Sequence, residues 1–329
     1  MVHPSFGTIP RARVADIATY VPEGRLTNAD LAKMVDTSDE WIVQRTGIRE
    51  RSIAAGAQFA SDVCRAAVQR LRERTGSFER VDAVIAATST ADYVFPSLAA
   101  QIQVGAGLTH AGAFDVGAAC AGFPYAINSA GALVASGQAR EVLVVGGEVM
   151  TKALDYTDRS TCILFGDGAG AALVVPANEQ SYIERTSYGS DGEGGKYLYR
   201  TSIRHDIAGH EDDTGMLRQS GSDVYKWAVR RISEAILEML AAANLTVDDV
   251  DWFVPHSANL RIVEALCART GIARERTLTS IESYGNTSTA SIPLALMPAL
   301  DDGRVKRGDR ILMYGFGGGL VHAGTLLHW

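Results

Sequence analysis

Val81-Asp82-Ala83-Val84-Ile85 and Val250-Asp251-Trp252-Phe253-Val254 are two short apolar segments that begin with the same Val-Asp pair. The offset between them also relates Val142-Leu143-Val144-Val145-Gly146 to Ile311-Leu312-Met313-Tyr314-Gly315, and it pairs the segment around Cys120 with the segment around Thr289. Apolar strands resemble one another, so it is the constancy of the offset that predicts two structural halves. Pro176-Ala177-Asn178-Glu179-Gln180 is the predicted junction, with one half at residues 1–175 and the other at residues 176–329.

The segments around these repeats predict the fold class. Short apolar runs such as Ala171-Ala172-Leu173-Val174-Val175 are typical of strands buried on both faces. Helical patterns alternate with such runs, at residues 61–74, 97–104, 122–136, 223–243 and 259–270. The alternation predicts an α/β fold with mainly parallel pairing. The polar stretch 187–222 interrupts it and is predicted to be a surface excursion with short strands, of the kind that often covers a site.

Composition excludes several classes of function. The chain has 329 residues, is 47% hydrophobic and carries a net charge of −7, which does not suit a general nucleic-acid binder. No run of 18 apolar residues and no signal peptide is present, so a cytoplasmic protein without a membrane span is expected. The four cysteines form no CxxC motif, and no metal site is expected.

One cysteine stands apart from the other three. Cys120 lies in the segment Asp115-Val116-Gly117-Ala118-Ala119-Cys120-Ala121-Gly122-Phe123. In this segment an apolar run ends in small residues, and a helical pattern begins directly after Cys120. A thiol at a helix N-terminus is expected to have a lowered pKa and to be nucleophilic. In isolation, however, a cysteine is more often buried and structural, and Cys64, Cys162 and Cys267 are expected to be packing residues.

Three further segments carry polar or glycine residues where a site could form. His256 follows a predicted strand that ends at Pro255, the position at which α/β proteins bind ligands. Asn286 lies in Gly285-Asn286-Thr287-Ser288-Thr289, which is also typical of a simple turn with a helix cap. Gly317-Gly318-Gly319 would let a backbone N–H approach a ligand and contribute to an oxyanion hole.

Together these segments resemble β-ketoacyl-acyl-carrier-protein synthase III, a member of the thiolase superfamily. The resemblance also covers Thr27–Leu31, Asp36–Ile42, Arg45–Ile48 and Phe165–Gly170, so it spans nearly the whole chain. It implies a five-layered α-β-α-β-α sandwich of two similar halves, which agrees with the constant offset described above. It also implies a homodimer in which Phe95 reaches the partner's acyl pocket, and Phe316 is assigned to the acyl pocket as well.

The resemblance implies a decarboxylative condensation of an acyl-CoA with malonyl-acyl-carrier protein, without a cofactor. Cys120 would carry the acyl group, the N–H groups of Cys120 and Gly318 would form the oxyanion hole, and His256 and Asn286 would stabilise the enolate. The implied CoA contacts are Thr37, Trp41, Arg45, Arg159 and Asn259. The implied carrier-protein contact is Arg261, and Lys226 and Arg269 extend it as a candidate basic patch for an acidic partner.

Two other functions are compatible with parts of this pattern. A homologue in secondary metabolism could transfer the acyl group from Cys120 to an alcohol or amine, although the His256–Asn286 pair favours condensation. A non-catalytic carrier-binding subunit is the second, and retention of Cys120 argues against it. Ser257 stands where many family members have Gln, and Ser222 and Tyr225 also differ from some members. These differences leave acyl preference open.

Overall fold

The computed structural model describes residues 11–329, so the first ten residues of the predicted N-terminal half lie outside the described residues. The strands are β1 Ala12–Tyr20, β2 Gly24–Thr27, β3 Glu50–Ile53, β4 Val81–Ala87, β5 Gly112–Val116, β6 Glu141–Val149, β7 Asp167–Pro176, β8 Tyr182–Ser190, β9 Leu198–Arg200, β10 Asp206–Ile207, β11 His210–Glu211, β12 Leu217–Gln219, β13 Trp252–Pro255, β14 Arg310–Gly317 and β15 Val321–His328. The helices are α1 Asn28–Leu31, α2 Asp39–Thr46, α3 Ala60–Thr75, α4 Leu98–Gly105, α5 Gly122–Ala135, α6 Arg159–Cys162, α7 Gly221–Trp227, α8 Ser233–Ala241, α9 Leu260–Thr270, α10 Ile281–Tyr284 and α11 Ser291–Asp301.

Two mixed sheets form the framework. The first has the order β1-β7-β6-β4-β5 and the second the order β13-β14-β15-β8. Strands β5, β4 and β6 are parallel, as are β13 and β14, whereas β7 and β15 pair antiparallel with both of their neighbours. The prediction of mainly parallel pairing is therefore wrong. Strands joined through helices can run parallel, but the short turn between β14 and β15 cannot hold a crossover and allows only an antiparallel pair.

Helices pack on both faces of each sheet and produce five layers. Helices α3 and α4 cover the outer face of the first sheet, and α5 and α11 fill the space between the two sheets and contact strands of both. Helix α8 packs on β8 and α9, and apolar residues of α9 join the core under the outer face of the second sheet. The predicted five-layered α-β-α-β-α sandwich is confirmed.

The repeat seen in the sequence has a structural counterpart. Helices α5 and α11 begin at Gly122 and Ser291, which the same offset relates, and each follows a 3₁₀ turn, at Ala119–Ala121 and Ser288–Ala290. The first residue of each turn has a positive φ, 43° at Ala119 and 51° at Ser288. The two turns contact each other at the centre of the molecule. The limits 1–175 and 176–329 stay a prediction, although β7 ends at Pro176 and β8 begins at Tyr182.

The stretch 187–222 begins as the end of β8 and then leaves the sheet. It forms a 3₁₀ segment at Gly192–Tyr197 and the short strands β9 to β12, as its polar composition predicted. Leu198 and Leu217 are its buried apolar residues. Both line a cavity that reaches Cys120, so this stretch does cover the candidate site.

Candidate active site

Cys120 lies in the middle of the Ala119–Ala121 turn, immediately before α5, and only 7% of its surface is exposed. Gly317, in the last position of β14, faces it at very short range. A Cβ atom at Gly317 would lie 2.7 Å from the Cβ and 2.9 Å from the Sγ of Cys120. Residue 317 therefore has to be glycine for the sulfur to occupy this position.

Burial controls the protonation of this thiol. It raises the pKa of Cys120 to about 11, although the nearby Ser288 hydroxyl and Gly318 N–H lower the pKa in part. The expected lowering of the pKa by a helix N-terminus is therefore wrong, because the loss of hydration outweighs it. The resting nucleophile is a thiol, and its proton has to leave when the sulfur reacts.

His256 follows β13 directly and is almost fully buried. Its Nδ1 atom lies 2.6 Å from the Ser291 hydroxyl, at the start of α11, and that hydroxyl also accepts a hydrogen bond from the Ser257 N–H at 3.3 Å. Among the described residues the Ser291 hydrogen has no acceptor other than Nδ1, so the imidazole hydrogen resides on Nε2. Burial lowers the pKa of His256 to about 3, which keeps the ring neutral.

Asn286 is held in one amide orientation by its neighbours. Its Oδ1 atom accepts a hydrogen bond from the Ser288 N–H at 2.9 Å, and its Nδ2 group donates to the Ala258 carbonyl at 3.4 Å. A carboxamide nitrogen carries two hydrogens, so one remains for the cavity that Asn286 lines. The amide therefore presents a donor to the site.

Two cavities meet at the nucleophile. The first, of about 550 Å³, is lined by Cys120, His256, Asn286 and Phe316. The second, of about 690 Å³, also reaches Cys120 and is lined by Gly318 and by parts of the 187–222 stretch. The structure thus brings together the predicted nucleophile and both predicted donors in one cavity, and a second cavity also reaches the nucleophile.

The residues predicted to bind CoA have different surroundings in the structure. The guanidinium groups of Arg45 and Arg159 lie 5.8 Å and 5.0 Å from the centre of the Trp41 ring. Arg45 and Asn259 line the first cavity, but Asn259 also caps α9 and donates to the Arg45 carbonyl at 3.2 Å. The Thr37 hydroxyl is buried without a partner among the described residues and lines neither cavity.

The three basic residues predicted to bind the carrier protein do not all lie at the same cavity. Arg261 and Lys226 line the first cavity together with Arg45, so its wall carries three cationic side chains. Lys226 lies 4.0 Å from Asp223 and is otherwise exposed. Arg269 is exposed two turns further along α9 and does not line this cavity.

The two phenylalanines predicted to belong to the acyl pocket lie in different surroundings. Phe316 lines the first cavity together with Cys120 and meets the His256 ring edge-on at 5.3 Å. Phe95 is 84% exposed and lines neither cavity, whereas Tyr93 and Val94 line the second. Phe95 is therefore free to contact another molecule.

Three polar residues of the site were not singled out in the sequence. Ser288 and Ser291 lie in the hydroxyl-rich run after Asn286, but only the fold shows which of its hydroxyls face the site. Glu148 is buried in β6, and its carboxylate binds the Ser288 hydroxyl at 3.0 Å. A charged residue inside an otherwise apolar strand was a signal that could have identified it.

Two features are absent from residues 11–329. No helix there is long and apolar enough to cross a membrane. Over the same range, no group of three or more His, Cys, Asp or Glu side chains is placed to hold a metal ion.

Comparisons with known proteins bear on nearly the whole chain. Family models described as 3-oxoacyl-[acyl-carrier-protein] synthase III and its C-terminal part match residues 114–192 and 240–329. The chain is 51% identical to β-ketoacyl-[acyl-carrier-protein] synthase III 2 of Halalkalibacterium halodurans, over 98% of this chain and 97% of that protein.

Solved structures agree with the sequence comparisons. A β-ketoacyl-[acyl-carrier-protein] synthase III from Thermus thermophilus superposes with a TM-score of 0.93 at 45% identity, covering 96% of this chain and 99% of that one. The priming β-ketosynthase of the R1128 polyketide pathway gives 0.90 at 38% identity, over 99% of both chains.

Proposed function

The chain belongs to the β-ketoacyl-acyl-carrier-protein synthase III family, and we propose that it condenses an acyl-CoA primer with malonyl-acyl-carrier protein through an acyl group on Cys120. The observation that carries the assignment of residues is the convergence of Cys120, His256 and Asn286 on one cavity. Initiation of fatty-acid synthesis is the function that the relatives support.

The first half-reaction loads the enzyme. The Cys120 sulfur attacks the thioester carbonyl, the negative charge moves to the carbonyl oxygen, and CoA leaves as the acyl-sulfur bond forms. The N–H groups of Cys120 and Gly318 stabilise that oxygen, and the position of Gly318 on the cavity that reaches Cys120 supports this role. Covalent capture divides one difficult condensation into two easier steps.

The second half-reaction makes the carbon–carbon bond. Malonyl-acyl-carrier protein loses carbon dioxide, and the charge of the resulting enolate develops on its thioester oxygen. His256 donates from Nε2 and Asn286 from Nδ2 to this oxygen, and neither residue introduces a charge that would have to be neutralised. The enolate carbon then attacks the acyl group on Cys120 and releases the β-ketoacyl product. Every step uses side-chain and backbone groups of this chain, without a cofactor.

Substrate binding follows from the residues around the first cavity. Trp41 and Arg45 bind the adenine, Arg159 lies near the nucleotide end, and Thr37 and Asn259 line the CoA tunnel. Arg261 and Lys226 bind the acidic carrier protein at the same mouth, with Arg269 as a more distant contact. The acyl chain occupies the second cavity.

A homodimer completes this proposal. The exposed apolar segment Tyr93-Val94-Phe95 supports it, because Tyr93 and Val94 line the acyl cavity while Phe95 projects away from it. Phe95 then contributes to the partner's acyl pocket. Both substrates belong to cytoplasmic metabolism, so the protein is expected there.

Transfer of the acyl group to an alcohol or amine is not favoured. Such a transfer involves no decarboxylation, and it would leave the paired donors of His256 and Asn286 without a task. Both donors are held by hydrogen bonds within the cavity that contains Cys120.

The test uses the intact enzyme with acyl-CoAs of increasing length and malonyl-acyl-carrier protein. Carbon dioxide and a β-ketoacyl product are expected, together with a gain of one acyl mass on the wild-type enzyme and none on Cys120→Ser. Absence of carbon dioxide and of the β-keto product would refute condensation. An equal acyl mass on Cys120→Ser would refute Cys120 as the nucleophile.

A further inference from the structure

Glu148 is a buried carboxylate beside the nucleophile that the mechanism above does not use. It lies near the end of β6 and has no exposed surface. Its oxygens accept hydrogen bonds from the Thr90 hydroxyl at 2.6 Å, from the Ser89 N–H at 3.0 Å and from the Thr88 hydroxyl at 3.2 Å. A buried charge usually has an ionic partner, and the partners of Glu148 are instead neutral donors.

Ser288 connects this carboxylate to Cys120. Its hydroxyl donates to Glu148 Oε1 at 3.0 Å, and Ser288 lines the same cavity as Cys120, close enough to the sulfur to influence the pKa of the thiol. A hydroxyl has one hydrogen and two lone pairs. When that hydrogen points to Glu148, the oxygen can only accept from the sulfur, which sets up a chain from the Cys120 thiol through Ser288 to the Glu148 carboxylate.

We infer that Glu148 is a positioning residue that accepts the Cys120 proton through the Ser288 hydroxyl while Cys120 is acylated. This inference rests on the proposed function, because it explains how the thiol of that reaction loses its proton.

The step is balanced in protons and charge. As the sulfur–carbon bond forms, the thiol proton passes to the Ser288 oxygen and the Ser288 hydrogen passes to Glu148. The single negative charge moves from the carboxylate to the thioester oxygen and then to the departing CoA sulfur. As the bond between that sulfur and the acyl carbon breaks, the proton returns through Ser288 to the CoA thiolate, and the carboxylate is regenerated.

His256 is a poor alternative as the proton acceptor. Its Nδ1 atom is occupied by Ser291, and burial lowers its pKa to about 3. Burial raises the pKa of Glu148 to about 7, which suits a group that exchanges a proton at neutral pH. The titratable groups that face Glu148 are the thiols of Cys120 and of Cys64 on α3, and burial raises the pKa of both, so both are protonated in this range.

The experiment measures the rate of acyl-enzyme formation from acyl-CoA by rapid quench and mass spectrometry between about pH 5.5 and 9. Wild type, Ser288→Ala, Glu148→Gln and Thr90→Val are compared. The wild-type rate is expected to rise with pH and level off above about 7 as Glu148 ionises. In Ser288→Ala and Glu148→Gln, the acylation rate should no longer rise with pH in this way. It should also be at least about 10-fold lower than in wild type, which is at the low end of the effect of losing a proton acceptor. Thr90→Val removes a hydrogen bond to the carboxylate, and the acceptor of the Val149 N–H, but leaves Ser288 and the carboxylate in place. The rise of its rate should therefore move to higher pH while the plateau stays near that of wild type.

The outcomes separate this inference from the proposed function. Wild-type rates and pH profiles in Ser288→Ala overturn the inference, even if Glu148→Gln does not fold. The inference is also overturned if Ser288→Ala is acylated slowly but its rate still rises with pH as in wild type. A structural defect would lower the rate in this way without removing a titration. The proposed function fails separately, if wild-type enzyme makes no β-keto product.

Discussion

Replacing Glu148 with Gln should change how the stability of the protein depends on pH. The pKa of this carboxyl rises from its ordinary 4.5 to about 7 in the folded protein, because burial disfavours the charged form. The folded state therefore binds the proton more tightly than the unfolded state does. The stability that the protonated carboxyl contributes is complete below about pH 4.5 and is lost as the pH rises through 7.

The size of the effect follows from the shift. At about 1.4 kcal/mol per pKa unit, a rise of this size corresponds to about 3 kcal/mol, and most of it falls between pH 5 and pH 8. Urea unfolding of wild type and Glu148→Gln at both pH values measures it. The free energy of unfolding of wild type should fall by about 2 to 3 kcal/mol more than that of the variant between these two pH values. Equal changes in the two proteins would show that Glu148 does not titrate in this range and would refute the reasoning.

Three further substitutions test separate contacts. Ser291→Ala removes the hydroxyl that holds the imidazole hydrogen on Nε2, so release of carbon dioxide in single-turnover assays should slow by about 10-fold or more while acylation by acyl-CoA keeps its rate; a loss confined to acylation would contradict it. Gly317→Ala places a Cβ atom 2.9 Å from the Cys120 sulfur, so acylation should fall by about 100-fold, whereas the control Gly56→Ala, with no atom within 4 Å of the new Cβ, should match wild type. Trp41→Ala should raise KM for acyl-CoA by about 10-fold through lost stacking and leave KM for an acyl-pantetheine unchanged; an equal rise for both thioesters would exclude an adenine contact.

The parts of the fold that depend on local pattern were predictable. The helical patterns at residues 122–136 and 61–74 match α5, Gly122–Ala135, and α3, Ala60–Thr75, whereas the second central helix, α11, Ser291–Asp301, was not predicted as a helix. Residues 223–243 were predicted as one helix, but the structure interrupts α7 and α8 with a π-helical segment at Ala228–Ile232. An extra residue in one helical turn barely disturbs the hydrophobic pattern, so periodicity does not detect it.

The parts that depend on distant contacts were not predictable in the same way. Strand direction in the sheets follows from how each connection is routed, which apolar runs do not encode. The raised pKa of Cys120 depends on burial by residues far away in the sequence, and its local context suggested the opposite shift. Phe316 was assigned to the acyl pocket through the resemblance, and only the fold shows that its ring meets His256 edge-on in the cavity of Cys120. Local sequence identified the reactive residue types, and packing determined their protonation and their neighbours.

An internally repeated fold offers every functional position twice. The twin of Cys120 is Thr289, in the middle of the second 3₁₀ turn, and it is fully buried with no hydrogen-bond partner for its hydroxyl among the described residues. Its side chain points toward Gly122 and Gly146 of the other half, each of which lacks the Cβ atom that would collide with it. Of the two positions related by the repeat, Cys120 therefore lines the cavities of the candidate site, whereas Thr289 packs between the two halves. This asymmetry means that exchanging the two turns would not move the active site but would eliminate it.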